Sequence, residues 1–119
     1  MTTTKQPTVA VIYCRTACTP HLGGDTSLLA QEETCRAYAA AHGIEISGVY
    51  CDPGISGLSA DDRPGWQAIM QFLQRTPAPH DVLVMDETRL ARDSSLCAEL
   101  QTACTQLGHV IIAIDRPRY

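Results

Sequence analysis

The 119-residue chain is poor in aromatic residues, with a single tryptophan, a single phenylalanine and a single lysine. No apolar run is long enough to cross a bilayer, and no basic start leads into an apolar stretch. A membrane anchor and a secretory signal are therefore not expected, and the expected location is the cytoplasm. No CxxC pair occurs among Cys14, Cys18, Cys35, Cys51, Cys97 and Cys104, and His21, His42, His80 and His109 stand at no ligand spacing to them. A disulfide framework does not suit a chain without a secretory leader. Most of these cysteines read as small buried hydrophobes, and neither a metal nor another cofactor is expected. Positive charge is also scarce. A net charge of −4 argues against this segment alone being a strong electrostatic binder of nucleic acid.

What cationic character there is comes almost wholly from arginine, Lys5 being the sole lysine. Guanidinium offers a planar fork suited to bidentate phosphate contacts, although a genome-wide bias toward arginine produces the same count. An apolar content of 45% in a chain of this length fits one globular domain with its own core.

Residues 1–8 are polar, carry Pro7 and read as a flexible leader to a domain spanning 9–119. Residues 9–13 (VAVIY) form a β-branched run without alternation, the pattern of a strand buried on both faces and central in a parallel sheet. Pro20, Gly23 and Gly24 mark a loop. Leu28, Cys35, Tyr38 and Ala39 recur at helical spacing within 27–42, and Gly43 follows as a C-terminal cap. Residues 44–51 predict a second strand, which leads into the turn-rich segment 52–57. Pro64 sits at a first helical position, with Trp66, Ile69, Met70 and Leu73 as the apolar stripe behind it. Residues 81–85 predict a third strand and 86–91 a loop. Leu96, Leu100, Ala103, Cys104 and Leu107 line a last helix closed by Gly108, and 110–114 predict a fourth strand. Strands alternating with helices imply an α/β fold, a three-layer sandwich with a mostly parallel central sheet of four or five strands and helices on both faces.

In such sheets the working site lies beyond the carboxyl ends of the strands. Arg15, Ser56, Gly57, Arg89 and Arg92 fall on those loops, with Arg63 just beyond the second. Arginines converging from separate loops repel one another unless an anion sits among them, so a phosphate site is expected there. Each arginine taken singly has a plainer role, as a helix cap or as a surface partner of Asp86, Glu87 or Asp93.

These segments resemble the N-terminal catalytic domain of the serine site-specific recombinases, the resolvase/invertase family, and within it the large serine recombinases. Tyr13-Cys-Arg15-Thr-Ala17 is similar to the first family motif, Tyr-x-Arg-x-Ser. Ser27-Leu-Leu-Ala-Gln31 with Cys35-Arg36-Ala-Tyr38 and His42-Gly43 resembles the first helix. Asp52-Pro-Gly54-Ile55-Ser56-Gly57 followed by Asp62-Arg63-Pro64 resembles the second motif, and Thr88-Arg89-Leu90-Ala91-Arg92-Asp93 the third. Four ordered motifs at family spacing are far more specific than any one alone.

The resemblance implies DNA strand cleavage and rejoining: a serine Oγ attacks a phosphodiester, the 3′-hydroxyl leaves, and a phosphoseryl link conserves the bond energy. No metal is implied, so arginines neutralise the phosphate charge. By the match, Arg15, Arg89 and Arg92 cradle the scissile phosphate and Arg63 supports them. Asp52 and Ser56 orient neighbours, Gln31 lines the site, and Tyr13 belongs to the first motif.

Ala17 occupies the nucleophile position and has nothing to attack with, so the chain as written is expected to be inactive. Cys18 is adjacent, but on an extended chain its side chain points to the opposite face. The resemblance implies a long dimerisation helix and a DNA-binding domain after the last strand, and neither is expected within residues 9–119. DNA is thus the expected partner in a full-length context, with weak or no binding by this segment, homo-oligomers in the family, a monomer compatible with this segment alone, and no membrane. The alternative is a non-catalytic regulatory or decoy domain acting by protein or phosphate binding. An unrelated nucleotide-binding α/β domain is disfavoured because no glycine-rich turn follows the first strand.

Overall fold

The computed structural model describes residues 8–16, 27–52, 63–76, 80–90 and 94–115. Residues 1–7 of the expected leader, the loop at 19–25, and the positions of Ala17, Cys18, Ser56, Gly57 and Arg92 lie outside the described residues, while Thr8, placed in the leader, opens the first strand.

The β-branched run near the start forms β1 (Thr8–Arg15), longer at both ends than the apolar run alone predicts. After it come α1 (Leu28–Ala41), β2 (Ile44–Asp52), α2 (Pro64–Arg75), β3 (Asp81–Val84), α3 (Glu87–Leu90), α4 (Ser94–Gln106) and β4 (Val110–Ala113). The four strands pair in the order β2-β1-β3-β4, all parallel. β1 is an inner strand, as its lack of alternation requires, and Ala10 through Cys14 are all fully buried.

Two apolar layers fill the faces of this sheet. On one, Ala10, Ile12, Cys14 and Leu83 pack against Cys35 and Ala39 of α1. On the other, Val11, Tyr13, Val82 and Val84 pack against Trp66, Ile69 and Leu73 of α2, Leu90 of α3, and Cys97, Leu100 and Cys104 of α4. The fold is therefore the three-layer α/β sandwich that the alternation of elements implies.

The helix boundaries have local causes. Ser27 caps α1, its Oγ accepting from the Ala30 amide at 3.1 Å. Gly43 and Gly108 adopt φ of 67° and 88° directly after α1 and α4, where a left-handed residue ends a helix. The segment 86–91, expected as a loop, instead contains the single helical turn α3. Asp86 starts it, its Oδ1 accepting from the Thr88 amide at 3.0 Å and from the Thr88 hydroxyl.

The pairing of β1 with β2 slips between Ala10 and Val11, so that Ala10 pairs with Ile46 but Val11 with Gly48. Ser47 is the extra residue, and its hydroxyl turns back to the Ala10 carbonyl at 3.4 Å. Because side chains alternate faces, one added residue exchanges the faces of everything beyond it. Ile44 and Ile46 pack on the α1 side, and past the slip it is Val49 that does so, while Tyr50 joins the α2 side.

Candidate active site at the carboxyl ends of the strands

The register beyond the slip sets Cys14 beside Cys51 and Arg15 beside Asp52, at the ends of β1 and β2. Two polar networks meet there. Arg15 is the last residue of its strand rather than a loop residue. Its backbone is gripped from α1: the amide donates to Gln31 Oε1 at 3.0 Å, and Gln31 Nε2 donates to the Arg15 carbonyl at 3.0 Å. The same carbonyl accepts from Arg89 Nη1 at 3.0 Å. In return the Arg15 guanidinium reaches α3, where Nε donates to the Arg89 carbonyl at 3.0 Å and Nη2 to that of Thr88. Asp86 Oδ1 lies 3.6 Å from Arg89 Nε.

Arg15 and Arg89 are thus brought together, 1% and 7% exposed, as residues from two motifs would be if they served one site. The site is less bare than the sequence suggests. Carbonyl dipoles at 88 and 89 and the Asp86 carboxylate already face these two cations, which is how two guanidinium groups come to share a buried corner.

The second network centres on Asp52. Its carboxylate accepts from the Tyr13 hydroxyl at 2.7 Å, the Gly65 amide at 2.7 Å and the Trp66 amide at 3.0 Å. Arg63 holds the N-cap position of α2 but makes no side-chain cap, so the end of β2 caps this helix across the fold. Burial, followed by the Asp52 hydrogen bond and charge, pushes the Tyr13 hydroxyl well above the usual tyrosine range, while Arg63 pulls it partly back. Tyr13 therefore stays a proton donor to Asp52 throughout the neutral range.

Arg63 is fully buried, and among the described residues none of its three guanidinium nitrogens completes a well-formed hydrogen bond. Its charge and its side-chain approach to the Tyr13 hydroxyl are the two influences that pull the tyrosine back down.

The sequence-predicted residues Tyr13, Arg15, Gln31, Asp52, Arg63 and Arg89 are thus gathered at one edge of the sheet, all buried. Ala17, Ser56 and Arg92 lie outside the described residues. Sequence reasoning overlooked Gly65: a Cβ there would stand 2.8 Å from the Cys51 carbonyl and 3.0 Å from both Asp52 carboxylate oxygens. The Pro64-Gly65 pair at the start of a helix was the available signal. Most of the described cysteines are buried as expected, namely Cys14, Cys35, Cys97 and Cys104, whereas Cys51 is exposed. Among the described residues no group of three or more His, Cys, Asp or Glu side chains could hold a metal ion, and no helix is long and apolar enough to cross a membrane.

Residues 10–119 match the family described as Resolvase, N terminal domain. No curated protein sequence matches the chain. Among solved structures, the N-terminal catalytic domain of TP901-1 integrase is 27% identical, with a TM-score of 0.78 over 90% of this chain and 77% of that one. A resolvase family site-specific recombinase from Streptococcus pneumoniae is 25% identical, with a TM-score of 0.75 over 91% of this chain and 72% of that one. The C-terminal catalytic domain of an IS607-like serine recombinase, ISC1926 TnpA, is 23% identical at a TM-score of 0.73, covers 89% of this chain and 70% of that one, and shares the fold.

Proposed function

Because the chain belongs to the resolvase N-terminal domain family, the catalytic domain of serine recombinases, we propose that it binds a DNA backbone phosphate at the edge where β1, β2 and β3 end, and that Ala17 deprives it of the covalent step. Arg15, Arg63 and Arg89 supply positive charge from three separate segments, joined by Arg92. Gln31 and Asp52 fix the strand ends, Tyr13 holds Asp52, and Ser56 orients neighbours. The observation that carries this reading is Arg63, a wholly buried guanidinium whose nitrogens complete no well-formed hydrogen bond among the described residues. A buried cation left in that state is costly, and an anion drawn to it recovers the loss. Arg15 and Arg63 are sealed from solvent at 1% and 0% exposure, so a phosphate reaches them only when the site opens.

A methyl group at position 17 cannot form a phosphoryl-enzyme bond. Joined to a DNA-binding domain with a matched recombination site, the chain as written is expected to give no covalent adduct on a suicide substrate. Ala17→Ser in the same fusion is expected to restore one, visible as protein-linked DNA on a denaturing gel. Cys18→Ala in the unmodified background should change nothing. An adduct formed by the Ala17 protein and abolished by Cys18→Ala would make Cys18 the nucleophile and overturn this reading. The substitution at position 17 also favours a second role, a domain that retains phosphate or partner binding without cleavage. Failure of Ala17→Ser to restore an adduct, with phosphate binding intact, would select that role.

A further inference from the structure

We propose that Cys14 and Cys51 form an oxidisable dithiol, a modification site that closes to a disulfide by exchange with a small-molecule disulfide and ties the ends of β1 and β2 directly before Arg15 and Asp52.

The placement comes from the register. Cys14 pairs with Cys51 across two parallel strands. The slip at Ser47 puts Cys51 on the same face as Val49, and Cys14 lies in the same layer, against α1. The two thiols act electrostatically on one another, and Cys35 and Glu32 of α1 and Asp52 of β2 are the other titratable groups that act on them. Neighbouring strands lie about 4.8 Å apart, within the Cα separations of roughly 4.4–6.8 Å that cystines span.

Exposure makes the two thiols unequal. Cys14 is fully buried, whereas Cys51 lies exposed on the edge strand β2. Among the described cysteines Cys51 alone is exposed, so an oxidant enters there. With glutathione disulfide as oxidant, the Cys51 thiolate attacks one sulfur, forming a mixed disulfide and releasing one glutathione thiolate. The Cys14 thiolate then attacks the Cys51 sulfur and releases the second glutathione. The protein loses two electrons and two protons, and the small disulfide gains both as two thiols.

Burial holds both thiols above the usual cysteine range, so little thiolate is present at neutral pH and exchange speeds up as pH rises. A cystine also prefers its Cβ atoms about 3.8 Å apart, closer than the roughly 4.8 Å between neighbouring strands. Closing the bond therefore draws the strand ends together and leaves a strained, readily reduced link, the labile kind rather than a permanent brace. Asp52 follows Cys51 and holds both Tyr13 and the Trp66 amide, so the movement is passed to the ring of Trp66, the single tryptophan of the chain.

The test treats the folded protein with glutathione disulfide at mildly alkaline pH, blocks remaining thiols under denaturing conditions and maps tryptic peptides by mass spectrometry. The expected result is a link between the peptide ending at Arg15 and the peptide containing Cys51, loss of both thiols together, a change in Trp66 emission, and full reversal by dithiothreitol. Cys51→Ser, at an exposed position, should abolish the link. A second probe is phenylarsine oxide, whose trivalent arsenic bridges paired thiols. It should protect Cys14 and Cys51 from alkylation as a pair in the unmodified protein and neither in Cys51→Ser. Cys51 trapped as a glutathione adduct with Cys14 still free, or linked to a different cysteine, would overturn the proposal. Complete linkage with unchanged Trp66 emission would overturn its coupling to the Asp52 network.

Discussion

The Asp52 carboxylate takes three hydrogen bonds from the Tyr13 hydroxyl and the amides of Gly65 and Trp66, and so joins β1, β2 and α2 at one point. Its approach depends on the missing side chain at position 65, where a Cβ would meet backbone and carboxylate at 2.8–3.0 Å. Gly65→Ala is expected to destabilise the fold by about 1–3 kcal/mol, the cost of overpacking a close contact. Gly48→Ala is the comparison, since its Cβ would meet the Tyr50 ring at 3.3 Å, a side chain able to turn aside. Urea unfolding of both variants decides the matter: equal losses would mean that the approach of Asp52 does not constrain position 65. Tyr13→Phe removes one donor but leaves the two amides. The expected loss is about 1.5–3 kcal/mol, the range for a hydrogen bond to a charged group, and an unchanged urea midpoint would show that the 2.7 Å bond contributes nothing net.

Among the elements, α1 does more than cover one face of the sheet. Gln31 closes a two-bond clamp on the Arg15 backbone, holding the last residue of β1 in place for its guanidinium to reach α3. Gln31→Leu keeps the volume and leaves the buried Arg15 amide without its acceptor, which should lower stability by about 1–3 kcal/mol. It should also raise amide hydrogen exchange at Arg15 well above that of Ile12 in the middle of the same strand, and equal protection at both would refute the clamp. At the opposite edge of the sheet, His109 ties three elements. Its Nδ1 accepts from the His80 amide at 2.8 Å, and its Nε2 lies 3.3 Å from the Leu73 carbonyl at the end of α2. Nδ1 also lies 3.1 Å from the His80 carbonyl, so which ring nitrogen donates depends on the tautomer.

For the whole molecule, two consequences follow from what is buried. Burial raises the thiols of Cys104 to about 11 and Cys35 to about 12, and raises Cys14 and the Tyr13 hydroxyl further. A folded-state pKa above the unfolded value means that stability is fully present below the unfolded value, 9.0 for these thiols, and is lost as pH rises beyond it. Each such group withdraws on the order of 1 kcal/mol per pH unit there. The urea midpoint should hold between pH 7 and 8.5 and fall steeply above 9, and a level midpoint to pH 10.5 would contradict the burial of these groups. The second consequence concerns association. With a net charge of −4, the chain alone is expected to bind duplex DNA weakly, without sequence preference, and less as salt rises. Tight, sequence-specific retention in a gel shift at physiological salt would place a recognition surface within this domain.

Much of this architecture can be read from local pattern. The unalternating run of β1 marks an inner parallel strand, the stripe behind Pro64 marks α2, and Gly43 and Gly108 mark helix ends, because periodicity and backbone freedom are properties of short segments. The motif residues Tyr13, Arg15, Gln31, Asp52, Arg63 and Arg89 could be named in advance for the same reason: each sits in a recognisable local sequence. What no local pattern contains is the pairing between segments distant in the chain. The slip at Ser47 decides that Asp52 faces Tyr13 and α2 while Cys51 faces Cys14 and α1, and a strand one residue shorter would exchange them. The turn of helix at α3, the carbonyls that receive Arg15, the burial of Arg63 and the space required at Gly65 are likewise settled only when the layers close. Residue types are chosen one position at a time, but partners and burial belong to the assembled sheet and helices.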